Sequence, residues 1–453
     1  MNLRIHSPFD DSLVAELPYD DEESALTKLA AAAEAQRGWR RVSVAERVAR
    51  VRLAVAWFTA NADEIALDVT RQMGKPLAQS HGEVRGLVER AEYMLGIAER
   101  SLAAEELPAK EGFTRRIEHV PLGVVFDVAA WNYPLLIAVN VVVPAVLAGN
   151  AVLLKHSART PLCGAHFERA FRAAGLDDLV VNVILDHALA ARLIADPRIG
   201  HVAFTGSVEG GRHIHRAAAE RFIDTGLELG GNDPAYIAAD ADLAGAAAGV
   251  VDGACYNAGQ SCCGVERIYV HESVADELVD RALELVRLYR TGDPLDAQTT
   301  LGPLASRGAL TQLSEQVESA RASGAEVLAG GTVIDGRFFE ATLLLGAGPD
   351  TSVMREESFG PLVPVVKVAS DAEALALMND SRFGLTASIW TADAQRAEWF
   401  AAEHDAGTIY QNRCDVLDPA LPWTGFRDSG KGSTLSSHGF GHLTKRKAIH
   451  FKH

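Results

Sequence analysis

Cys262 sits in the run Asn257-Ala258-Gly259-Gln260-Ser261-Cys262-Cys263, and Glu228 precedes it by 34 positions, closing a short apolar run before Gly230-Gly231. A thiolate is a strong nucleophile, and the covalent adduct it forms needs a base to activate water for its release. Leu227 and Leu229 flank Glu228, and an apolar setting raises the pKa of a carboxyl group toward that of a useful base. The cysteine alone has a plainer reading. A free cysteine is commonly a small buried hydrophobe.

A second group of residues suggests a phosphate-bearing ligand. The chain has no G-x-G-x-x-G fingerprint. In its place, AFTGSVEGG runs from an apolar strand through Gly206 and Ser207 into a helix that begins near Val208. Gly206 permits a tight turn, and the helix N-terminus offers unpaired N–H groups to a phosphate. Lys155 ends another apolar strand, at the edge where ligands sit in open α/β sheets. A plain turn and a solvated strand-end lysine are the alternatives.

Positioning these residues requires a large chain. At 453 residues it is too long for one ordinary core, so two or three domains are expected. Apolar residues make up 48% and charged residues 23%, and 43 basic against 60 acidic residues give a formal charge of −17. Such a balance argues against a nucleic-acid partner, because binding phosphate backbones calls for a basic surface. Five cysteines, an odd number, show no metal-ligand spacing and no disulfide framework, so no metal is expected and a reducing cytoplasm fits best. No secretory h-region opens the chain. The apolar stretch 135–154 is interrupted by Asn140, Pro144, Gly149 and Asn150, which favours a buried helix, a turn and a buried strand over a membrane span.

Helical spacing covers about 22–37, 43–73 and 82–105, and an alternating segment at 115–120 reads as an edge strand. Strands near 123–128, 151–155, 179–185 and 201–206 then alternate with helices near 135–148, 162–174 and 187–194. After Gly230 a second series has helices near 241–256, 273–290 and 308–323, and strands near 266–271, 362–367, 386–391 and 407–411. Short continuous apolar strands between helices mark a parallel sheet covered on both faces. The last residues, 448–452, read as a further lone edge strand.

Seven segments together resemble the aldehyde dehydrogenase superfamily, in its order and spacing over nearly the whole chain: AWNYP (130–134), LLKHSARTP (153–161), FTGSVEGG (204–211), LELGGNDP (227–234), GQSCCGVER (259–267), EESFGP (356–361) and WTGFRDSGKG (423–432). The resemblance implies an α/β fold in three parts: a Rossmann-like cofactor domain (1–105 and 122–229), an α/β catalytic domain (230–432) and a small β oligomerisation element (106–121 and 433–453). It implies oxidation of a small-molecule aldehyde to the acid with NAD or NADP, in a homodimer or homotetramer. It makes Cys262 the nucleophile, Asn132 the oxyanion-holding amide and Glu228 the base for thioester hydrolysis. Lys155, Gly206, Ser207, Glu357, Phe359 and Trp131 become cofactor contacts, and Tyr133, Leu136, Tyr256 and Trp423 walls of the substrate tunnel.

The chain departs from the family pattern in places. Ala130 stands before Trp131 where the family commonly has Pro, His156 follows the strand lysine, and Asn232 replaces a lysine. Ala158, three residues after Lys155, is not an acid that would repel a 2′-phosphate, and Arg159 is adjacent, so NADP stands beside NAD. A CoA-acylating relative would ordinarily lack an acid at the position of Glu228, and a catalytically idle protein of this fold would have lost Cys262, Asn132 or Glu228. Mapping also Ile137, Asn140, Ser261, Cys263 and Leu417 onto the tunnel gives walls with no Arg or Lys, which favours a neutral aliphatic or aromatic aldehyde over one bearing a carboxylate. Asp415 and Asp418 leave a cationic aminoaldehyde as a lesser alternative.

Overall fold

The computed structural model describes residues 2–453. Two parallel sheets, each with its own apolar core, dominate the molecule. The first has six strands in the order Gly430–Lys431, Asp224–Glu228, Ile199–Thr205, Val124–Ala129, Ala151–His156, Val180–Asn182. All pairs are parallel except the outer Gly430–Lys431, which returns antiparallel to Asp224–Glu228. Val124–Ala129 and Ala151–His156 are buried at every position, as expected for strands covered on both faces.

The strand order reverses beside Val124–Ala129. The chain first adds strands on one side of it and then returns to build Ile199–Thr205 and Asp224–Glu228 on the other. Such a switch point opens a crevice at the carboxyl ends of the two central strands. Trp131 and Asn132 follow the first of these strands, and Gly206 and Ser207 the second.

The second sheet has seven strands, ordered Glu326–Ala329, Thr342–Leu345, Leu362–Val368, Val265–His271, Asp233–Ile237, Thr386–Trp390, Thr408–Gln411. Only the first pair is antiparallel. A three-stranded sheet lies apart from both: Thr444–Lys452, Phe113–Pro121 and Glu105–Glu106. The segments expected as two separate lone edges are therefore partners of each other, in register from Thr444 opposite Pro121 to Lys452 opposite Phe113. Among the described residues, one outer edge of Thr444–Lys452 is left open.

Other differences are local. The stretch 43–73 is two helices, Val44–Ala60 and Ala62–Met73, because the Asn61 side-chain amide donates to the carbonyl of Trp57 and closes the first of them. The strand expected over 179–185 shrinks to Val180–Asn182, and an N-terminal hairpin, Asn2–His6 with Leu13–Pro18, was not foreseen. Residues 135–154 form the buried helix Pro134–Leu147 and the buried strand Ala151–His156. Among the described residues, no helix is long and apolar enough to cross a membrane.

Candidate active site

The helix Leu243–Cys255 ends in a tight loop that leads to the strand Val265–His271, and Cys262 lies in that loop. Asn257 and Ala258 hold left-handed backbone conformations with φ of 54° and 55°. Non-glycine residues rarely adopt this region, and they persist there only when the surroundings enforce it. Here the enforcement is a set of amide bonds. Asn257 Nδ2 donates to the carbonyls of Asn132 (3.0 Å) and Gln260 (3.1 Å), Gln260 Nε2 donates to the Asn257 carbonyl (3.0 Å), and Asn132 Nδ2 donates to the Gln260 carbonyl (3.2 Å). Gly259 is required by contact: a Cβ there would lie 2.2 Å from the backbone of Gly360.

The same network brings Asn132 to the loop, two residues from the cysteine. Asn132 is itself held from below, since Lys75 Nζ donates to its carbonyl at 2.8 Å. Lys75 is fully buried and pairs with the buried carboxylate of Glu83. Glu83 also accepts from the backbone N–H of Leu135 at 2.8 Å and thus caps the helix Pro134–Leu147. Neither Lys75 nor Glu83 was singled out in the sequence. Their roles depend on a carbonyl and an N–H that no side-chain motif reveals.

Glu228 ends its strand, and the chain turns at Gly230-Gly231 directly beneath the cysteine loop. A Cβ on Gly231 would sit 2.2 Å from the Cys262 carbonyl, so this approach needs glycine. Thr434 Oγ1 donates to Glu228 Oε1 at 2.5 Å and Thr205 Oγ1 to Oε2 at 3.4 Å. Burial raises the Glu228 pKa above the ordinary 4.5, while Thr434, Arg90 and Thr205 pull it partly back. A carboxyl so placed is a better base than a solvated one.

Cys262 and Glu228 line one cavity of about 640 Å³, together with Tyr133, Leu136, Tyr256 and Trp423. Ile137, Asn140, Ser261, Cys263 and Leu417 line it as well. Cys263 is distinct from its neighbour: its Sγ contacts Asp415 Oδ1 at 2.9 Å. The adjacent Cys262 thiol and burial push the Cys263 thiol well above its usual range. Asp415, which also accepts from Ser261 Oγ at 3.1 Å, is raised to about 7 by burial. The expectation of walls without Arg or Lys does not hold. Arg90, from the helix Leu77–Leu102, and Arg413 both line the cavity. The sequence reading missed them because an arginine on an amphipathic helix, or beside a loop cysteine, looks like a solvated surface residue.

Several of the cofactor candidates neighbour one another. Ser207 caps the helix Val208–Ala219 and, with Glu357, lines a cleft of about 550 Å³. Glu357 Oε1 accepts from the Gly231 N–H at 3.0 Å, which ties the cleft to the segment under Cys262. Burial and the neighbouring Glu266 raise Glu357 to about 8. Phe359, in a left-handed conformation (φ 52°), packs edge-on against Trp131 with ring centroids 5.6 Å apart. Lys155, buried at the end of its strand, has no ion-pair partner among the described residues, and burial lowers its pKa. A nicotinamide dinucleotide suits this donor set: free N–H groups at a helix start, an unpaired buried cation, and an acid able to bond hydroxyls. Arg159 lies against Trp131, itself one of the cofactor candidates. Its guanidinium stacks 5.4 Å from the Trp131 ring and donates to the Ala305 carbonyl.

Comparison with known proteins agrees with this geometry. The Aldehyde dehydrogenase family model matches residues 1–449. The chain is 36% identical to an aldehyde dehydrogenase of Paenarthrobacter nicotinovorans, over 94% of each chain. It is 34% identical to succinate-semialdehyde dehydrogenase [NADP(+)] 1 of Mycobacterium tuberculosis strain H37Rv, over 95% of each. A crystal structure of an NAD-dependent aldehyde dehydrogenase from Sinorhizobium meliloti superposes with a TM-score of 0.96 at 33% identity, covering 100% of this chain and 92% of that one. The chain belongs to the aldehyde dehydrogenase family, NAD(P)-dependent oxidoreductases that convert an aldehyde to its carboxylic acid.

Proposed function

We propose that Cys262 is the nucleophile of this oxidation, Glu228 the base that activates the hydrolytic water, and Asn132 the side chain that holds the oxyanion. The observation that carries this reading is the shared cavity of Cys262 and Glu228, with the Asn132 amide bonded two residues from the cysteine. The thiolate of Cys262 adds to the aldehyde carbon, and the carbonyl oxygen takes up negative charge as a thiohemiacetal. The Asn132 amide and the backbone N–H of Cys262 lower that charge's energy; such a donor is worth about 3–4 kcal/mol of barrier. When bound, the nicotinamide cofactor supplies the two-electron acceptor that lets the adduct become a thioester. Glu228 then removes a proton from water as its oxygen attacks the thioester carbon, and the Cys262 sulfur leaves.

Lys155, Gly206, Ser207, Glu357, Phe359 and Trp131 serve the cofactor in this reading. Ala158 and the unpaired Lys155 support acceptance of NADP beside NAD. The body on the six-stranded sheet (1–105 and 122–229) is the cofactor part, 230–432 the catalytic part, and 106–121 with 433–453 the oligomerisation element. The open edge of Thr444–Lys452 supports a homodimer or homotetramer, since an uncovered edge seeks a partner. Five free cysteines support a cytoplasmic setting.

The test is Glu228→Gln in a rapid-mixing assay. A burst of about one reduced cofactor per site should precede a steady state slowed by about 10²–10⁴-fold. Loss of the burst itself would mean that Glu228 acts before hydride loss, and a parent-like steady state would remove it as the base.

A further inference from the structure

Arg90 reaches the cavity from the helix Leu77–Leu102, and one of its nitrogens is committed: Nη1 donates to the Leu136 carbonyl and to Asn140 Oδ1, both at 3.2 Å. Among the described residues, Nη2 and Nε donate to no protein acceptor, and both keep some accessible surface. Asn140 gives its oxygen to Arg90, and among the described residues its own Nδ2 has no protein acceptor on the same wall. Arg90 forms no ion pair among the described residues. Two adjacent side chains thus present N–H donors, one set charged, to a cavity that also holds Cys262 and Glu228.

Glu228 and Glu83 lie within electrostatic reach of Arg90, but among the described residues no carboxylate bonds to it. Glu83 is taken by Lys75 and by backbone N–H groups. Asp415 accepts from Ser261 and Cys263. Glu89 and Asp252 are exposed to solvent. Glu228 is engaged by Thr434 and Thr205. A cation withdrawn from bulk water and left unpaired is costly, and a carboxylate offsets that cost where a hydroxyl does not. Guanidinium and carboxylate also match in shape, forming parallel charge-assisted bonds.

We infer that Arg90, with Asn140, is an anion subsite that holds a carboxylate at the end of the substrate remote from its aldehyde. The substrate class is then an ω-oxo carboxylate, the semialdehyde of a dicarboxylic acid. This inference rests on Cys262 as the nucleophile, which fixes the cavity as the substrate site.

The test compares kcat/KM for ω-oxo carboxylates with that for n-alkanals of matched chain length. The parent enzyme should favour the oxo carboxylate by about 10- to 100-fold, the size of a hydrogen bond to a charged group. Arg90→Gln should collapse that ratio toward one, chiefly by raising KM for the oxo carboxylate, and Arg90→Lys should restore part of it. A parent enzyme without the preference, one that favours hydroxylated neutral aldehydes, or a ratio that Arg90→Gln leaves in place overturns the inference. Calorimetric binding of a saturated dicarboxylate against the matched monocarboxylate needs no turnover and separates this inference from the assignment of Cys262. Tighter binding of the dicarboxylate supports the subsite, and equal binding overturns it.

Discussion

Two walls of one cavity are built on opposite principles. The loop around Cys262 is held by neutral amides: Asn257, Gln260 and Asn132 bond to one another and to backbone carbonyls. The helix Leu77–Leu102 instead brings buried charge, Glu83 and, seven residues on, Arg90. At that spacing both side chains lie on one helix face, and both touch the helix Pro134–Leu147, at Leu135 N–H and at the Leu136 carbonyl. Glu83 is fully partnered, whereas Arg90 keeps free donors. A buried charge with every lone pair or proton satisfied serves architecture; one left with unused donors facing a cavity is available to a ligand. The loop wall carries the reacting group, and the helix wall carries support and selection.

The sharpest break between the walls is Cys262→Ser. Turnover should fall by at least about 10³-fold, because a neutral hydroxyl lacks thiolate reactivity, while the thermal unfolding midpoint stays at the parent value. Retained turnover would move the chemistry to Cys263. On the helix wall, Glu83→Gln leaves the Lys75 ammonium buried beside a neutral amide, a loss of about 3–5 kcal/mol. It should lower the unfolding midpoint and depress oxidation of every aldehyde alike. An unmoved midpoint would show that the Lys75–Glu83 pair does not hold the wall.

A pH profile probes the boundary between the two. Glu228 must be deprotonated to accept a proton from water, and its folded pKa is raised. The steady-state rate should therefore fall on the acid side at a pH above the ordinary glutamate value of 4.5. Removing the Arg90 charge, which favours the Glu228 carboxylate, should move that limb further up in Arg90→Gln. A limb at or below the ordinary value would contradict the buried setting of the base. The smallest effect is expected from Cys263→Ala. It removes the Sγ contact to Asp415, worth about 1 kcal/mol, and should leave kcat close to the parent. A large loss would make the second cysteine part of the reaction.

Much of this was legible in residue order. Short apolar strands such as Val124–Ala129 and Ala151–His156 announce themselves as continuous hydrophobic runs, because both faces are covered. The nucleophile and base candidates are legible as types, a cysteine in a Gly-punctuated loop and an acid among leucines, and the motifs around them carry the family resemblance. What residue types and local spacing specify, the sequence by itself determined: the α/β class, the alternation of elements, and Cys262 and Glu228 as candidates, with Asn132 added by the family resemblance.

Only the tertiary structure decided the rest, and the reason is distance along the chain. The strands Phe113–Pro121 and Thr444–Lys452 each read as an unpaired edge until folding placed them side by side. That Arg159 packs on the Trp131 ring and reaches the Ala305 carbonyl, 146 residues on, was likewise decided by folding. Nothing in the sequence marked Arg90; packing against Leu136 and Asn140 brought it to the cavity wall. Whether a charge is neutralised, solvated or left for a ligand depends on groups brought near it by folding, and no local pattern encodes those neighbours.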